Sequence, residues 1–228
     1  MMKNKNIVAV RNLIRSLDLT SLRNPEVVAN LIRAFGIVQW SVTGAFGDDE
    51  VFKNQTVEMA GIYQTPAQTA KALVYLSRFK INTYLEIGVF QGGNFLFMAE
   101  YLKRFNPKIQ CCGIDPTGYL NDEIRAIIET DLYLSYKAIT SDELKGQAFD
   151  LCFIDGDHSG EWVKRDFENV GKFAKICMIH DIQESSCPEV VAFWETVKGK
   201  KPVTFLDYTS NQPSQGIGII HNERGAIS

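Results

Sequence analysis

The residues best suited to chemistry in this chain come in short acidic or glycine-rich groups, each closing an apolar run. EIGVFQGG supplies Glu86, Gly88, Gln91 and Gly92; GID supplies Asp115; FIDGDH supplies Asp155, Asp157 and His158; MIHD supplies His180 and Asp181. Glycines in the first group let the backbone turn tightly and bring N–H groups and a following helix N-terminus against a polar ligand. Such a turn is weak evidence alone, because glycine turns often serve packing. Asp115 follows Gly92 by roughly 20 residues, the spacing at which an acid ending a second strand grips ribose hydroxyls. Together they point to an adenosine-containing ligand. A nicotinamide dinucleotide would need a glycine where Phe90 stands, and Glu86 brings a carboxylate to the same region. That carboxylate repels a pyrophosphate and favours an ammonium, so a dinucleotide oxidoreductase is disfavoured.

These groups cooperate only if the runs before them are strands of one sheet. From Thr83 onward the pattern fits: TYLEIGVF, KIQCCGID, LYLSYKAI, FDLCFID and ICMIHD are short and β-rich, and amphipathic stretches lie between them. Phe95, Met98, Ala99 and Leu102 form one helical face, Ile124, Ile127 and Ile128 a second, Val163, Phe167, Val170 and Ala174 a third, and Val190, Trp194 and Val197 a fourth. Near-continuous apolar strands alternating with helices predict an α/β fold with a mainly parallel sheet covered on both faces. VTFLDY and GIGII, joined by a polar loop, predict an antiparallel edge hairpin. Ligands of open α/β sheets sit beyond the carboxyl ends of the strands, where all the acidic groups fall.

Before Thr83 the chain reads as a helical cap. Val10, Leu13, Ile14 and Leu17 set out one helix; Asn24 and Pro25 open a second with Val27, Val28, Leu31, Ile32 and Phe35, ending at Gly36; Pro66 opens a third with Ala70, Leu73, Val74 and Ser77. Residues 36–66 have no sustained period and read as a structured loop or lid. Trp40, Phe46, Phe52 and Tyr63 suit core or dimer contacts better than acceptor-pocket walls, and the acidic residues 48–50 a solvated loop. The expected organisation is residues 1–66 as helices and lid, and residues 67–228 as the ligand-binding domain.

Composition narrows the partners. The chain has 228 residues, 45% hydrophobic and 22% charged, with a formal net charge of −3; mean hydropathy is −0.10 and the pI about 5.7. There is no basic field to hold a phosphate backbone, so nucleic acid is not the expected partner. No stretch reaches membrane-spanning length. Five cysteines, four within apolar runs, read as reduced thiols, and the first helix does not resemble a signal core, so a cytoplasmic location is expected. The apolar cap would suit a homo-oligomer.

EIGVFQGGN, GIDP, and FDLCFIDGDHSGEWVKRDFENV followed by HDI resemble a class I S-adenosylmethionine-dependent methyltransferase. More narrowly, the set is similar to small O-methyltransferases acting on sugars and macrolides, relatives of cephalosporin-hydroxylase-like proteins, over about residues 63–220. The resemblance implies a Rossmann-like methyltransferase fold with a seven-stranded sheet and transfer of methyl from S-adenosylmethionine to a hydroxyl of a small molecule or glycan. It implies that Glu86 and Gly88 hold the methionine end, Asp115 the ribose and the 139–142 stretch, including Ser141, the adenine. It also implies a divalent metal, Mg²⁺ or Mn²⁺, on Asp155 and Asp181. Carboxylates at two strand ends do suit a hard cation that could acidify an acceptor hydroxyl. His158, in the turn after FID, is the base expected to remove that proton. His180 departs from the pattern, since an acid often stands there; it could ligate a softer ion, bind substrate, or replace His158 as the base. The missing Pro-Gly-Gly turn before ICMIHD alters a loop rather than the site.

Plainer roles stand beside these. Asp115 and Pro116 could form only a turn, Asp155, Asp157 and Asp181 could cap helices, His158 could be a surface histidine and His180 a satisfied buried one. Metal-independent transfer with a histidine base, or cofactor binding without catalysis, are the alternatives for the whole chain.

Overall fold

In a computed structural model, residues 5–36, 62–206 and 215–222 are described. Residues 37–61, with Trp40, Phe46, Phe52 and most of the expected lid, lie outside them, as does the loop between the last two strands.

Helix α1 (Lys5–Ser16) leads into α2 (Pro25–Phe35). The Asn24 side chain accepts from the Glu26 N–H at 2.9 Å, Pro25 fixes the first turn and Glu26 sits favourably at the positive end of the dipole. Helix α3 (Pro66–Leu76) follows, and then strands and helices alternate: β1 (Thr83–Ile87), α4 (Gly93–Lys103), β2 (Gln110–Ile114), α5 (Asp122–Thr130), β3 (Leu134–Lys137), β4 (Leu151–Ile154), α6 (Gly160–Asn169), β5 (Ile176–His180), α7 (Pro188–Val197), β6 (Val203–Phe205) and β7 (Ile217–His221).

The seven strands form one sheet in the order β3-β2-β1-β4-β5-β7-β6. β1 to β5 run parallel, and β7 is antiparallel to both neighbours. This is the Rossmann-like arrangement with its edge hairpin. The order reverses between β1 and β4, which opens a crevice beyond the ends of those strands.

Strand residues alternate between two apolar layers. Tyr84, Leu151, Phe153, Met178 and Ile219 face a layer that includes residues of α1 to α5, whereas Leu85, Cys152, Ile154, Cys177 and Ile179 face one containing Val163, Val190 and Trp194 of α6 and α7. All five cysteines are free thiols. Among the described residues no helix is long and apolar enough to cross a membrane.

The α1 stripe differs from its sequence expectation. Ile7, Val10 and Ile14 are buried but Leu13 is 45% exposed. The register is set by polar contacts: Arg11 and Arg15 both reach Glu100 of α4, at 2.6 and 2.9 Å, and Glu100 is buried. Turning the helix to bury Leu13 would pull those arginines off the carboxylate.

Candidate functional site

A cavity of about 980 Å³ opens beyond the ends of β1, β2, β4 and β5. Its volume is at the upper end for a ligand site, enough for two small molecules side by side.

Glu86 is 1% exposed at the end of β1. The Tyr84 hydroxyl donates to it, and the Asn94 side-chain amide donates from 3.2 Å. Both partners are neutral. Burial raises its pKa from 4.5 to about 8, despite the opposing pull of the Tyr84 bond. A buried carboxylate with only neutral partners fits an incoming ammonium, and the unpartnered Asn94 Oδ1 beside it offers a further acceptor. Gly88, at φ 89°, lets the β1 and β4 loops touch: a Cβ there would stand 2.1 Å from the Asp155 carbonyl oxygen.

Asp115 is at once the turn former and a candidate ligand. Its Oδ1 accepts from the Thr117 N–H at 2.8 Å and from the Thr117 hydroxyl, and its Oδ2 accepts from the Phe90 N–H at 2.8 Å. Phe90 takes φ 46°, a conformation costly for a bulky residue, to deliver that N–H. The carboxylate is thereby fixed at the cavity wall with acceptor capacity left for hydroxyls. Ile139, Thr140 and Ser141 line the neighbouring wall, whereas Asp142 is turned away to Arg165. Gln91 and Gly92 lie off the cavity. Gly92, at φ 90°, has the packing role instead, since a Cβ would meet Leu120 at 2.5 Å.

Asp155, His180 and Asp181 converge at the ends of β4 and β5, their ligand atoms all within 4.8 Å of one another. His180 Nδ1 is 3.0 Å from Asp155 Oδ1 and 3.1 Å from Asp181 Oδ2. Neither approach is aligned as a hydrogen bond, and His180 Nε2 has no partner. Burial pushes the His180 pKa down, but the two carboxylates outweigh it and hold it well above the usual value. Burial likewise raises Asp181, and His180 and His158 more than reverse it. The cluster is thus built to hold one positive charge, and an unaligned buried imidazole between two carboxylates fits a divalent cation. Asp181 holds φ 60°, so the turn that places it is strained.

His158 is half exposed, with Nε2 3.1 Å from Asp181 Oδ2. Asp157 accepts from the Ser159 N–H at 2.8 Å in the turn before α6, for which Ser159 is the N-cap. It shapes the turn that presents His158.

Several cavity residues carry no signal in the sequence. The Gln64 amide donates to Asp155, and Gln215 holds that segment in place by donating to the Tyr63 carbonyl at 2.8 Å and accepting from the Thr65 N–H at 2.7 Å. Trp162 and residues 184–187 complete the wall. Only Asn94, in the first turn of the helix behind the glycine turn, occupies a position that motif spacing could have flagged.

Residues 85–182 match a family model described as a methyltransferase domain. Two solved structures share the fold across nearly the whole chain: cofactor-bound Rv0187 from MTB, at 11% identity and a TM-score of 0.53, and the O-methyltransferase TomG from Streptomyces achromogenes, solved with S-adenosylmethionine, at 12% and 0.52; each alignment covers 98% of this chain and 100% of the other. No curated protein matches by sequence. The matched segment spans β1 to the end of β5, the part of the sheet whose strand ends open on the cavity, so this part of the chain is similar to a methyltransferase domain and the whole shares the fold of the two solved structures.

Proposed function

We propose that the chain is an S-adenosylmethionine-dependent methyltransferase that methylates a hydroxyl of a small molecule or glycan, with Asp155, His180 and Asp181 holding a divalent cation beside the acceptor. The observation that carries the reading is one cavity holding both a buried carboxylate without a cationic partner, Glu86, and a second cluster built for positive charge. Glu86 receives the ammonium of the methionine end, Asp115 the ribose hydroxyls, and the 139–141 wall the adenine. S-adenosylmethionine supplies an activated methyl group, and a divalent cation supplies Lewis acidity that lowers the pKa of a coordinated hydroxyl.

His158 is the base. With its Nε2–H directed at Asp181, Nδ1 is left as the acceptor, and the hydroxyl proton moves there as the oxygen takes the methyl group. Asp181 steadies the resulting imidazolium. His180 is too enclosed, and too strongly held by two carboxylates, for that role. Fixing the two reactants in line can contribute up to roughly 7–11 kcal/mol.

The test is calorimetric titration of S-adenosylmethionine into metal-stripped protein, followed by turnover on vicinal-diol and catechol acceptors with and without EDTA. Binding lost in Asp115→Ala and turnover lost in EDTA are expected. No binding under any condition would overturn the reading. A second reading, metal-independent transfer, is favoured by the 3.1 Å His158–Asp181 contact, which pairs the base directly with a carboxylate; turnover indifferent to EDTA would select it.

A further inference from the structure

On the far side of Asp181 lies a second group of ligand atoms. A His158 ring nitrogen, an Asp181 oxygen and Cys187 Sγ all stand within 4.8 Å of one another, on the wall of the same cavity. Cys187 is buried and precedes α7, yet its side chain makes no capping bond to that helix. The Ser186 hydroxyl lies 3.8 Å from its Sγ, a weak contact. Asp181 Oδ2 stands 3.1 Å from His158 Nε2 and 3.1 Å from His180 Nδ1, so one oxygen faces both groups. His180, on the other side of Asp181, has a side chain 4% exposed and no hydrogen bond on either ring nitrogen, and belongs to the first group.

We infer that His158, Asp181 and Cys187 form a distinct transition-metal site for a thiophilic ion of the Zn²⁺ or Co²⁺ class, and that filling it silences the base. Nitrogen, oxygen and sulfur donors select such ions over Mg²⁺, which takes oxygen ligands. Three protein donors leave the fourth tetrahedral position to the cavity. On binding, a metal–sulfur bond replaces the Cys187 S–H bond and the proton leaves to solvent; nothing is oxidised or reduced. Metal on His158 Nε2 confines the remaining ring proton to Nδ1, the nitrogen that would accept from the acceptor hydroxyl. The site itself stands on this geometry alone; only its effect on rate rests on the role proposed above for His158.

The experiment is titration of Co²⁺ into the chelator-stripped full chain, read by absorbance. A thiolate-to-cobalt charge-transfer band is expected, absent in Cys187→Ser and retained in Asp155→Asn. Zn²⁺ should abolish the band by displacement while excess Mg²⁺ leaves it, and Zn²⁺ affinity should fall about tenfold or more in Cys187→Ser. Where methyl transfer with Mg²⁺ is measurable, added Zn²⁺ should slow the wild type and leave the Cys187→Ser rate near its own value without Zn²⁺. A wild type without the band, or a band that survives Cys187→Ser, overturns the site. If no acceptor is ever methylated, the absorbance arm still decides it, so failure of the functional reading and failure of the site are told apart.

Discussion

At Glu86 binding and stability oppose each other. The carboxylate is buried among neutral partners, so the folded, ligand-free protein prefers it protonated, with a pKa of about 8 against 4.5 in an exposed chain. The sign follows from linkage: folding takes up a proton between those values, so the cost of keeping Glu86 grows as pH rises from 4.5 and levels off above about 8. Glu86→Gln should therefore stabilise the ligand-free protein by about 1 kcal/mol or more at pH 8, or about 2–4 °C in Tm, with little gain near pH 4.5, while S-adenosylmethionine binding is lost. Thermal melts across pH check it, and a gain independent of pH would refute the assignment. At His158 the expectation runs the other way: His158→Gln should keep cofactor affinity and lose about 10²–10⁴ in kcat. Glu86, Asp115, Asp155 and Asp181 were legible in the sequence because each ends an apolar strand, where side chains of a parallel sheet meet its ligands. Gln64 and Gln215 were not, since their places depend on contacts about 90 and 150 residues apart in the chain.

Among the elements, the strands and the helices between them follow directly from apolar runs and their period, and the Asn24–Pro25 helix start is purely local chemistry. What the sequence could not disclose is how α1 turns on its axis. Periodicity offers Val10, Leu13, Ile14 and Leu17 as one face, and only the Arg11 and Arg15 contacts with Glu100 decide for Ile7, Val10 and Ile14. Breaking a buried pair costs about 3–5 kcal/mol when one charge is stranded, and Arg11 is the more enclosed of the two arginines. Glu100→Ala should accordingly destabilise the protein by about 3 kcal/mol and speed hydrogen exchange in α1 more than in β1 or β4. Equal protection in α1 would mean that apolar packing alone holds it. A second tight contact lies at the sheet edge, where a Cβ on Gly218 of β7 would stand 2.4 Å from the Trp194 ring of α7. Gly218→Ala should cost about 1–3 kcal/mol, and Trp194→Phe in the same chain should recover part of that loss, as a double-mutant cycle on Tm would measure.

For the molecule as a whole, sequence suggested a helical front part and a ligand-binding remainder divided near residue 66. Burial joins the described parts of both. Ile7, Ile14, Phe35 and Ile62 lie in the same apolar cluster as Phe97, Phe153 and Met178, and the Phe35 and Phe97 rings meet edge to face at 5.5 Å. Clusters are built from contacts between distant segments, and composition cannot reveal which segments will meet. We propose on this ground that the cap and the sheet unfold as one unit, since opening the cap would leave Phe97 and its neighbours bare to water. Far-ultraviolet dichroism and scanning calorimetry should then report one coincident transition. S-adenosylmethionine at 100 times its dissociation constant should move that transition by about 2.7 kcal/mol, about 5–10 °C, without splitting it. The same addition to Glu86→Gln should leave the Tm where it is, because the ligand acts through the carboxylate that variant lacks. A transition that splits, with an early step unaffected by ligand, would mean that the cap folds apart from the sheet and that residues 67–228 stand alone.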